Sequence, residues 1–227
     1  MHSCKCLCLR FVEFCYGCLI YQLAQVLTGV CYSTMDLDED CAGLGTVKDA
    51  ALEVCTSNGV PLTGWRATES DQLLRSRLRQ SGQWRKVKSD MNKVKLNDVL
   101  EKKRPKRALM YACGFQCQGF SKQGAMKGMK DKRSDTLKGA HRFVEKVLPD
   151  IVLLENVKNF TAKKFNKARS KLRTSLKKIG YKVRERVLNT SDYGLPQHRE
   201  RYYLVAIKRN RMPTTAHQFK WPRPQPK

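Results

Sequence analysis

Acidic residues and long apolar runs are both scarce in this chain. Its 227 residues include 20 Asp and Glu against 45 Lys and Arg, a net charge of +25. This excess favours a polyanionic partner, nucleic acid first, over a solvated basic surface or an anionic membrane. The most apolar stretch, 11–30, is interrupted by Glu13, Gln22 and Gln25. It is therefore poor material for a membrane-spanning helix, which needs about 20 apolar residues.

Histidine is also rare, with four in the chain, and this bears on the ten cysteines. Seven cysteines lie before residue 42, where Cys4, Cys6, Cys15 and Cys18 form a loose group. Their spacing matches no closed structural zinc site and no histidine completes one, so we predict no metal. Disulfide scaffolds are typical of short secreted chains, whereas the remaining sequence has the pattern of an intracellular α/β enzyme. We therefore expect free thiols.

From residue 35 onward, the sequence repeats a pattern of strand, tight turn and helix. Apolar spacing predicts helices over 47–55, 72–79, 141–147 and 162–178, the last ended by Gly180. Short apolar runs predict strands over 62–68, 108–112, 151–154, 182–188 and 202–207. Surface loops and a helix are expected over 80–106, and a mobile loop over 121–138. The alternation predicts an α/β fold, a mostly parallel sheet with helices on both faces and ligands beyond its carboxyl ends.

Three segments are expected along the chain. Residues 1–34 form a Cys-rich apolar extension, 35–208 form the folded domain, and 209–227 form a Pro-rich basic tail. One domain suits this length. Lys5 and Arg10 before the apolar stretch also allow a signal-peptide interpretation, although no convincing small-residue cleavage site follows.

Three short blocks carry residues suited to nucleophilic chemistry. Cys117 follows a predicted strand, Glu155 ends another, and Arg199 and Arg201 come just before the last one. A nucleophile, an acid and two anion-binding guanidinium groups are thereby expected at one edge of the sheet. The blocks read Gly-Phe-Gln-Cys-Gln-Gly-Phe-Ser from 114, Leu-Glu-Asn-Val from 154 and Gln-His-Arg-Glu-Arg from 197.

At these blocks the chain resembles the cytosine-5 DNA methyltransferases, over roughly residues 36–207. The segment 189–201 is similar to the eighth motif of that family over its full length. The blocks around Cys117 and Glu155 are similar to its fourth and sixth motifs. The resemblance implies a Rossmann-like class I S-adenosylmethionine-dependent methyltransferase fold. It also implies methyl transfer from S-adenosylmethionine to carbon 5 of cytosine in DNA, with the base flipped out of the duplex.

The resemblance assigns a role to each catalytic candidate. Cys117 is expected to add to carbon 6 of cytosine, which makes carbon 5 nucleophilic. Glu155 is expected to hold or protonate ring nitrogen 3, while Arg199 and Arg201 face the base or support the site. Structural alternatives stay open: a buried Cys117, a capping role for Glu155 and surface ion pairs for the arginines. Contacts to nucleic acid are expected from Gln118, Ser121, Lys122 and Gln197.

The methyl donor is expected to lie against Gly43 and Gly45, where backbone without Cβ can approach a ligand at a helix start. Glu69, at the end of a predicted strand, is expected to take the ribose hydroxyls. Asp98 resembles the third-motif acid of the family, beside the adenine. A simple turn at the glycines and an ordinary polar loop residue at Asp98 are the alternatives.

The chain also departs from the family pattern. Gln116 stands where the family has proline, a change of about 0.5–1 kcal/mol in loop order. Either Glu39 or Asp40 matches the first-motif acid, because the local register is ambiguous. Residues 1–34 match nothing in the family, and the family continues past the position of Lys227 with a target-recognition region. We therefore expect a fragment, a degenerate relative or half of a split enzyme, with a separate chain supplying target recognition as a candidate partner.

Two other functions fit the same residues. One is a non-catalytic nucleic-acid-binding relative, favoured by Gln116, and the other is an RNA cytosine-5 methyltransferase. No membrane partner is expected. The basic run 102–107 suggests nuclear placement if the chain is eukaryotic and cytoplasmic placement otherwise.

Overall fold

The computed structural model of the protein describes residue 22 and residues 34–94, 107–116, 135–210 and 219–225. The strands are β1 Thr34–Asp40, β2 Leu62–Thr68, β3 Trp84–Lys88, β4 Arg107–Gly114, β5 Ile151–Val157, β6 Tyr181–Asn189 and β7 Glu200–Lys208. The α-helices are α1 Thr46–Ser57, α2 Gln72–Gln80, α3 Asp135–Val147 and α4 Asn166–Lys178. Short 3-10 turns lie at Met91–Lys93, Lys158–Thr161, Lys163–Phe165 and Thr190–Tyr193.

The strands form one seven-stranded sheet in the order β3-β2-β1-β4-β5-β7-β6. β1 to β5 run parallel to one another, whereas β7 is antiparallel to both β5 and β6. The mostly parallel α/β sheet predicted from the sequence is therefore confirmed. Because β7 is reversed, its first residues lie at the same edge as the carboxyl ends of β4 and β5.

Alternating strand residues divide the interior into two cores, one on each face of the sheet. On one face, Leu37, Met110 and Leu153 pack with Ala51 of α1 and Leu78 of α2. The other face packs against α3 and α4 through a second set: Tyr111, Cys113, Val152, Leu154, Phe143 and Leu176. Period-two alternation thus buries both faces of the central strands, as a doubly covered sheet requires.

The sequence prediction was wrong at three places. Strand β3 lies in the stretch expected to hold loops and a helix; Trp84 is its only fully buried residue, so its pattern reads as polar. The last helix begins at Asn166 because 3-10 turns occupy the residues before it. Residues 135–138, expected in a mobile loop, belong to α3. Residues 95–106 and 117–134 lie outside the described residues.

Two further features concern the end of α4 and the described residues after β7. Gly180 adopts φ +92° directly before β6, which confirms it as the residue that ends α4. Phe219 is buried in the first core and Trp221 packs against the same core.

Within the described ranges, no helix has the length and apolar character needed to cross a bilayer.

Candidate active site

The carboxyl edge of the sheet brings most of the described candidate residues together. Gly43 and Gly45 follow β1, Glu69 follows β2, and Glu155 lies near the end of β5. β7 adds Arg201 at its start. Loops at this edge are where open α/β sheets bind ligands.

Glu155 and Arg201 form an ion pair across neighbouring strands. Arg201 Nε lies 3.1 Å from Glu155 Oε1, and the two side chains are 23% and 18% exposed. Burial raises the pKa of Glu155 above its ordinary value, while Arg201 and then Arg199 oppose that rise. The carboxyl group is thus held in place and retains its proton to higher pH than an ordinary glutamate does, which suits a general acid.

Hydrogen bonds from β6 hold the segment that carries the arginines. The Arg199 backbone N–H donates to Asn189 Oδ1 at 3.0 Å, and the Gln197 carbonyl accepts from the Thr190 hydroxyl. The carboxylate of Glu200 pairs with Lys158 at 2.7 Å. The Arg201 guanidinium does not take the Glu200 carboxylate as its partner; it donates a hydrogen bond to the backbone carbonyl of Glu200.

Cys117 lies outside the described residues, as do Gln118, Ser121 and Lys122. The chain that leads to Cys117 is described as far as Gln116 and is firmly held. Asn156 Nδ2 donates to the Phe115 carbonyl at 2.7 Å, and Phe115 itself is 2% exposed.

The residue immediately before Cys117 is also anchored. The Gln116 N–H donates to Thr136 Oγ1 at 3.0 Å, at the start of α3. Proline has no N–H and cannot make this bond. A hydrogen bond therefore restrains Gln116, the position at which the resemblance implies a proline.

Gly114, the last residue of β4, lies close to Glu155. A Cβ at Gly114 would lie 3.4 Å from Glu155 Oε2, and Gly114 pairs with Glu155 in the β4–β5 register. Cys117 follows only three residues later.

The two glycines after β1 both need left-handed backbone. Gly43 has φ +58° and Gly45 has φ +83°, which side chains rarely adopt. Gly43 has open space where a Cβ would stand, and its N–H donates to Glu69 Oε2 at 2.8 Å. The second oxygen of Glu69 accepts the Asp71 N–H at 2.9 Å, so the carboxylate is held by backbone donors.

A cavity of about 430 Å³ runs along this edge, within the range of small-molecule sites. Its lining includes Glu69 at the β2 end and Gln116 at the β4 end. The remaining lining residues are Cys41, Thr68, Ser70, Ser89, Asp90, Met91, Asn92, Asp135 and Thr136. The cavity thus connects the predicted donor carboxylate with the residue before Cys117.

Asp90 is a candidate that sequence reasoning missed. It follows β3, lines the cavity and accepts the Asn92 N–H at 2.8 Å. Asp98, the residue predicted for the adenine side, lies outside the described residues. Asp90 was missed because strand β3 was not predicted. Once β3 is known to end at Lys88, Asp90 is an acid just beyond the end of a strand.

Glu39 and Asp40 have different surroundings. Asp40 accepts hydrogen bonds from Arg66 at 2.5 Å, Thr68 at 2.6 Å and Tyr111 at 2.7 Å, all inside the core. Burial raises the pKa of Glu39 well above its ordinary value, although backbone N–H groups at the start of α1 oppose this.

Metal ligands do not cluster at this site. Over the part of the chain that the structure describes, no three His, Cys, Asp or Glu side chains are grouped as a metal would require. The cavity is lined by carboxylate and hydroxyl residues together with Cys41 and Met91, which suits an organic ligand.

Comparison with known proteins agrees with this architecture. A sequence profile of the family described as C-5 cytosine-specific DNA methylase matches residues 64–227. The type II methyltransferase M.HhaI of Haemophilus parahaemolyticus is 33% identical over 129 residues, covering 57% of this chain and 38% of that protein. M.HaeII of Haemophilus aegyptius is 34% identical over 135 residues, covering 56% of this chain and 42% of its own length.

Solved structures share the fold. The S. pombe Dnmt2 methyltransferase superposes with a TM-score of 0.58 at 20% identity, covering 76% of this chain and 49% of that one. The Entamoeba histolytica methyltransferase EhMeth superposes with a TM-score of 0.61 at 15% identity, covering 77% of this chain and 53% of that one. The chain spans about two fifths of the two bacterial relatives. With the profile matched over most of its residues, the chain belongs to the C-5 cytosine-specific DNA methylase family.

Proposed function

We propose that this chain carries the catalytic centre of an S-adenosylmethionine-dependent methyltransferase acting on carbon 5 of cytosine in DNA. The observation that carries the proposal is the continuity of the site. One cavity extends from Glu69 to Gln116, the residue before Cys117, and the Glu155–Arg201 pair lies beside Gly114 at the end of β4. These described residues lie at one edge of one sheet, and we expect Cys117 to join them there.

The described residues fit the methyl donor. Glu69 offers a carboxylate to ribose hydroxyls, and the open space over Gly43 allows backbone to approach the ligand. Asp90 is an acceptor on the adenine side, the role first expected of Asp98. When bound, S-adenosylmethionine supplies an electrophilic methyl group.

The side chains of this chain perform the remaining chemistry. Cys117 adds to carbon 6 of the flipped cytosine, which directs electron density to carbon 5. After carbon 5 has taken the methyl group, loss of its proton to a base and elimination of the Cys117 sulfur restore the ring. Glu155 places its proton at ring nitrogen 3 and offsets the negative charge that develops on addition. Arg201 orients the Glu155 carboxyl group, and Arg199 presents a guanidinium at the same edge.

A basic helix supports nucleic acid as the substrate. Residues 163–178 contain eight basic and no acidic residues. The lysine face of α4, made of Lys167, Lys171 and Lys178, lies opposite the buried Leu172 and Leu176. All three lysines are exposed, and among the described residues none of them pairs with a carboxylate.

Mechanism-based trapping tests the proposal. The full chain is incubated with S-adenosylmethionine and a pool of duplexes that contain 5-fluorocytosine within randomised flanks. We expect a covalent adduct that resists denaturation and maps to Cys117 by peptide mass. The Cys117→Ser variant should form none, whereas Cys55→Ala, a change at a buried thiol in the opposite core, should retain it.

The same pool prepared as RNA tests whether the substrate is DNA or RNA. Titration with S-adenosylhomocysteine tests whether the chain binds the methyl donor. A folded chain that binds nucleic acid yet forms no adduct and binds no S-adenosylhomocysteine is a non-catalytic relative, and the proposal fails. An adduct with RNA alone overturns only the DNA assignment.

A further inference from the structure

The peptide unit that joins Phe115 to Gln116 is held through both of its polar groups. Its carbonyl, which belongs to Phe115, accepts a hydrogen bond from Asn156 Nδ2 at 2.7 Å. Its N–H, which belongs to Gln116, donates to Thr136 Oγ1 at 3.0 Å. No peptide bond among the described residues is cis, so the carbonyl and the N–H point in opposite directions. Asn156 and Thr136 therefore hold the peptide from opposite sides, and we call this pair of contacts the peptide clamp.

Other contacts fix both arms of the peptide clamp. Asn156 is 1% exposed, and its Oδ1 accepts the Val157 N–H at 2.9 Å, so its Nδ2 remains to donate to the clamped carbonyl. Thr136 lies in the first turn of α3. That helix is packed on β4, where Phe143 stacks on Tyr111 with 4.2 Å between ring centroids. The clamped peptide is thus tied to β5 on one side and to α3 on the other.

The Thr136 arm exists because position 116 carries an N–H. Proline, which the resemblance implies at this position, fixes φ at about −65° and has no N–H to donate. Gln116 leaves φ free and supplies the donor. From the clamped peptide plane, only φ and ψ of Gln116 determine where the Cα of Cys117 lies. The hydrogen bond to Thr136 thus restrains the backbone at the same position as a proline ring, by another means.

We propose that Thr136 is a positioning residue for Cys117, and that it acts by holding the N–H of Gln116. The inference rests on the proposed function, in which Cys117 is the nucleophile. Displacing a reacting group by about 1 Å can cost about 10²-fold in rate, so the restraint matters for the addition step. Thr136 and Gln116 also line the cavity, so the donor site and the support of the nucleophile share one wall.

The first experiment removes the acceptor at Thr136 in the full chain. Thr136→Val keeps the shape of the side chain but lacks the hydroxyl oxygen. With saturating S-adenosylmethionine and the 5-fluorocytosine duplex pool, we expect adduct formation to slow about tenfold, the upper range for one lost hydrogen bond. Thr136→Ser keeps the oxygen and should restore most of the rate. Affinity for S-adenosylhomocysteine, measured by calorimetry, should stay nearly unchanged in both variants.

A second measurement does not depend on activity. Amide hydrogen exchange reports whether the Gln116 N–H is bonded, and we expect this amide to exchange faster in Thr136→Val than in the parent chain or in Thr136→Ser. Thr161→Val is the matched control, because the Thr161 hydroxyl donates to the Lys158 carbonyl at 2.9 Å within its own 3-10 turn. The control should change neither the exchange of this amide nor the adduct rate.

A double-variant cycle tests whether Thr136 acts through the N–H of Gln116. Gln116→Pro removes that N–H, so Thr136→Val should slow adduct formation in the parent chain but hardly at all in Gln116→Pro. Equal slowing in both backgrounds overturns the inference, because the effect then follows another route. Should Gln116→Pro not fold, the comparison of Thr136→Val with Thr136→Ser decides, and equal rates for these two overturn the inference.

The remaining outcomes separate this inference from the proposed function. Weaker S-adenosylhomocysteine binding with an unchanged adduct rate at saturating donor overturns the inference, since Thr136 then serves the ligand. An unchanged Gln116 amide in Thr136→Val overturns it as well. If the parent chain forms no adduct, the proposed function fails, whereas faster exchange of that amide in Thr136→Val still supports the peptide clamp.

Discussion

Arg201 holds Glu155 from the neighbouring strand, with 3.1 Å between Nε and Oε1. The contact exists because β7 runs antiparallel to β5 and delivers its first residues to the edge where β5 ends. The Glu155 carboxyl group is thus held in a fixed position, which suits the proton transfer that we propose for it.

The first prediction concerns pH. Burial raises the pKa of Glu155 and Arg201 opposes the rise, so a reaction that needs protonated Glu155 slows as the pH increases through that raised value. Arg201→Met removes the opposing charge, and we expect the alkaline limb of the single-turnover rate profile to move to higher pH. Glu155→Gln should lower the rate by about 10²–10⁴-fold. Arg186→Met, at an exposed position on β6, is the control; a limb that stays in place for Arg201→Met contradicts the role.

The second prediction concerns the loop before Cys117. Asn156→Ala leaves the Phe115 carbonyl without its 2.7 Å donor, and an unsatisfied buried acceptor costs about 1–3 kcal/mol. We expect the free energy of unfolding in urea to fall by that amount and adduct formation to slow. Asn58→Ala removes a bond of equal length to the Val54 carbonyl, away from the site. Equal slowing in both variants would falsify a positioning role.

The third prediction compares the two glycines of the donor turn. Left-handed backbone costs a residue with a Cβ about 1–2 kcal/mol, so both Gly43→Ala and Gly45→Ala should lower stability. Gly45→Ala should lower it more, because its Cβ would lie 3.2 Å from Leu78 Cδ2 and 3.4 Å from Trp84 Nε1. Thermal unfolding measures the difference; identical losses would show that the packing around Gly45 yields freely.

The fourth prediction concerns the lysine face of α4. Replacing Lys167, Lys171 and Lys178 by glutamine should weaken duplex binding and reduce the slope of log affinity against log salt by up to about three. Fluorescence anisotropy over a salt series measures this slope.

A triple variant of equal charge change is the control for the lysine face. It carries glutamine at Arg77 and Arg79 of α2 and at Lys138, which pairs with Asp135. If the control reduces the slope as much as the α4 variant does, binding depends on net charge and not on this face.

The fifth prediction concerns the buried ion network beneath the site. Arg66 is 3% exposed and donates a hydrogen bond to Asp40 at 2.5 Å. Burial lowers the pKa of Arg66, but the charges of Asp40 and Asp38 raise that pKa by more. Arg66→Leu leaves those carboxylates uncompensated and should destabilise the protein by about 3–5 kcal/mol. Arg107→Leu breaks the pair with Asp36, in which the arginine is 23% exposed, and should cost less, about 1–3 kcal/mol. Similar losses in urea unfolding would show that burial does not set the cost.

Local patterns were sufficient for the fold class and for several candidate residues. Apolar strands such as β5, the glycine turn after β1 and the stop at Gly180 follow from periodicity and backbone preference, which depend on neighbours in sequence. Strand β3 could not be recognised in this way, because an edge strand exposes most of its side chains and reads as polar. Its omission kept Asp90 from being considered as a candidate acid, whereas the prediction for Asp98 concerns a residue outside the described ranges.

Pairings between distant residues needed the folded chain. The order of strands sets Arg201 against Glu155 and Asn156 against the Phe115 carbonyl. Nothing in the local sequence encodes these contacts, since the partners are 46 and 41 residues apart. The residue types along the chain therefore indicate which groups can react. The order of the strands and the burial of side chains determine which of these groups contact each other and how their pKa values shift.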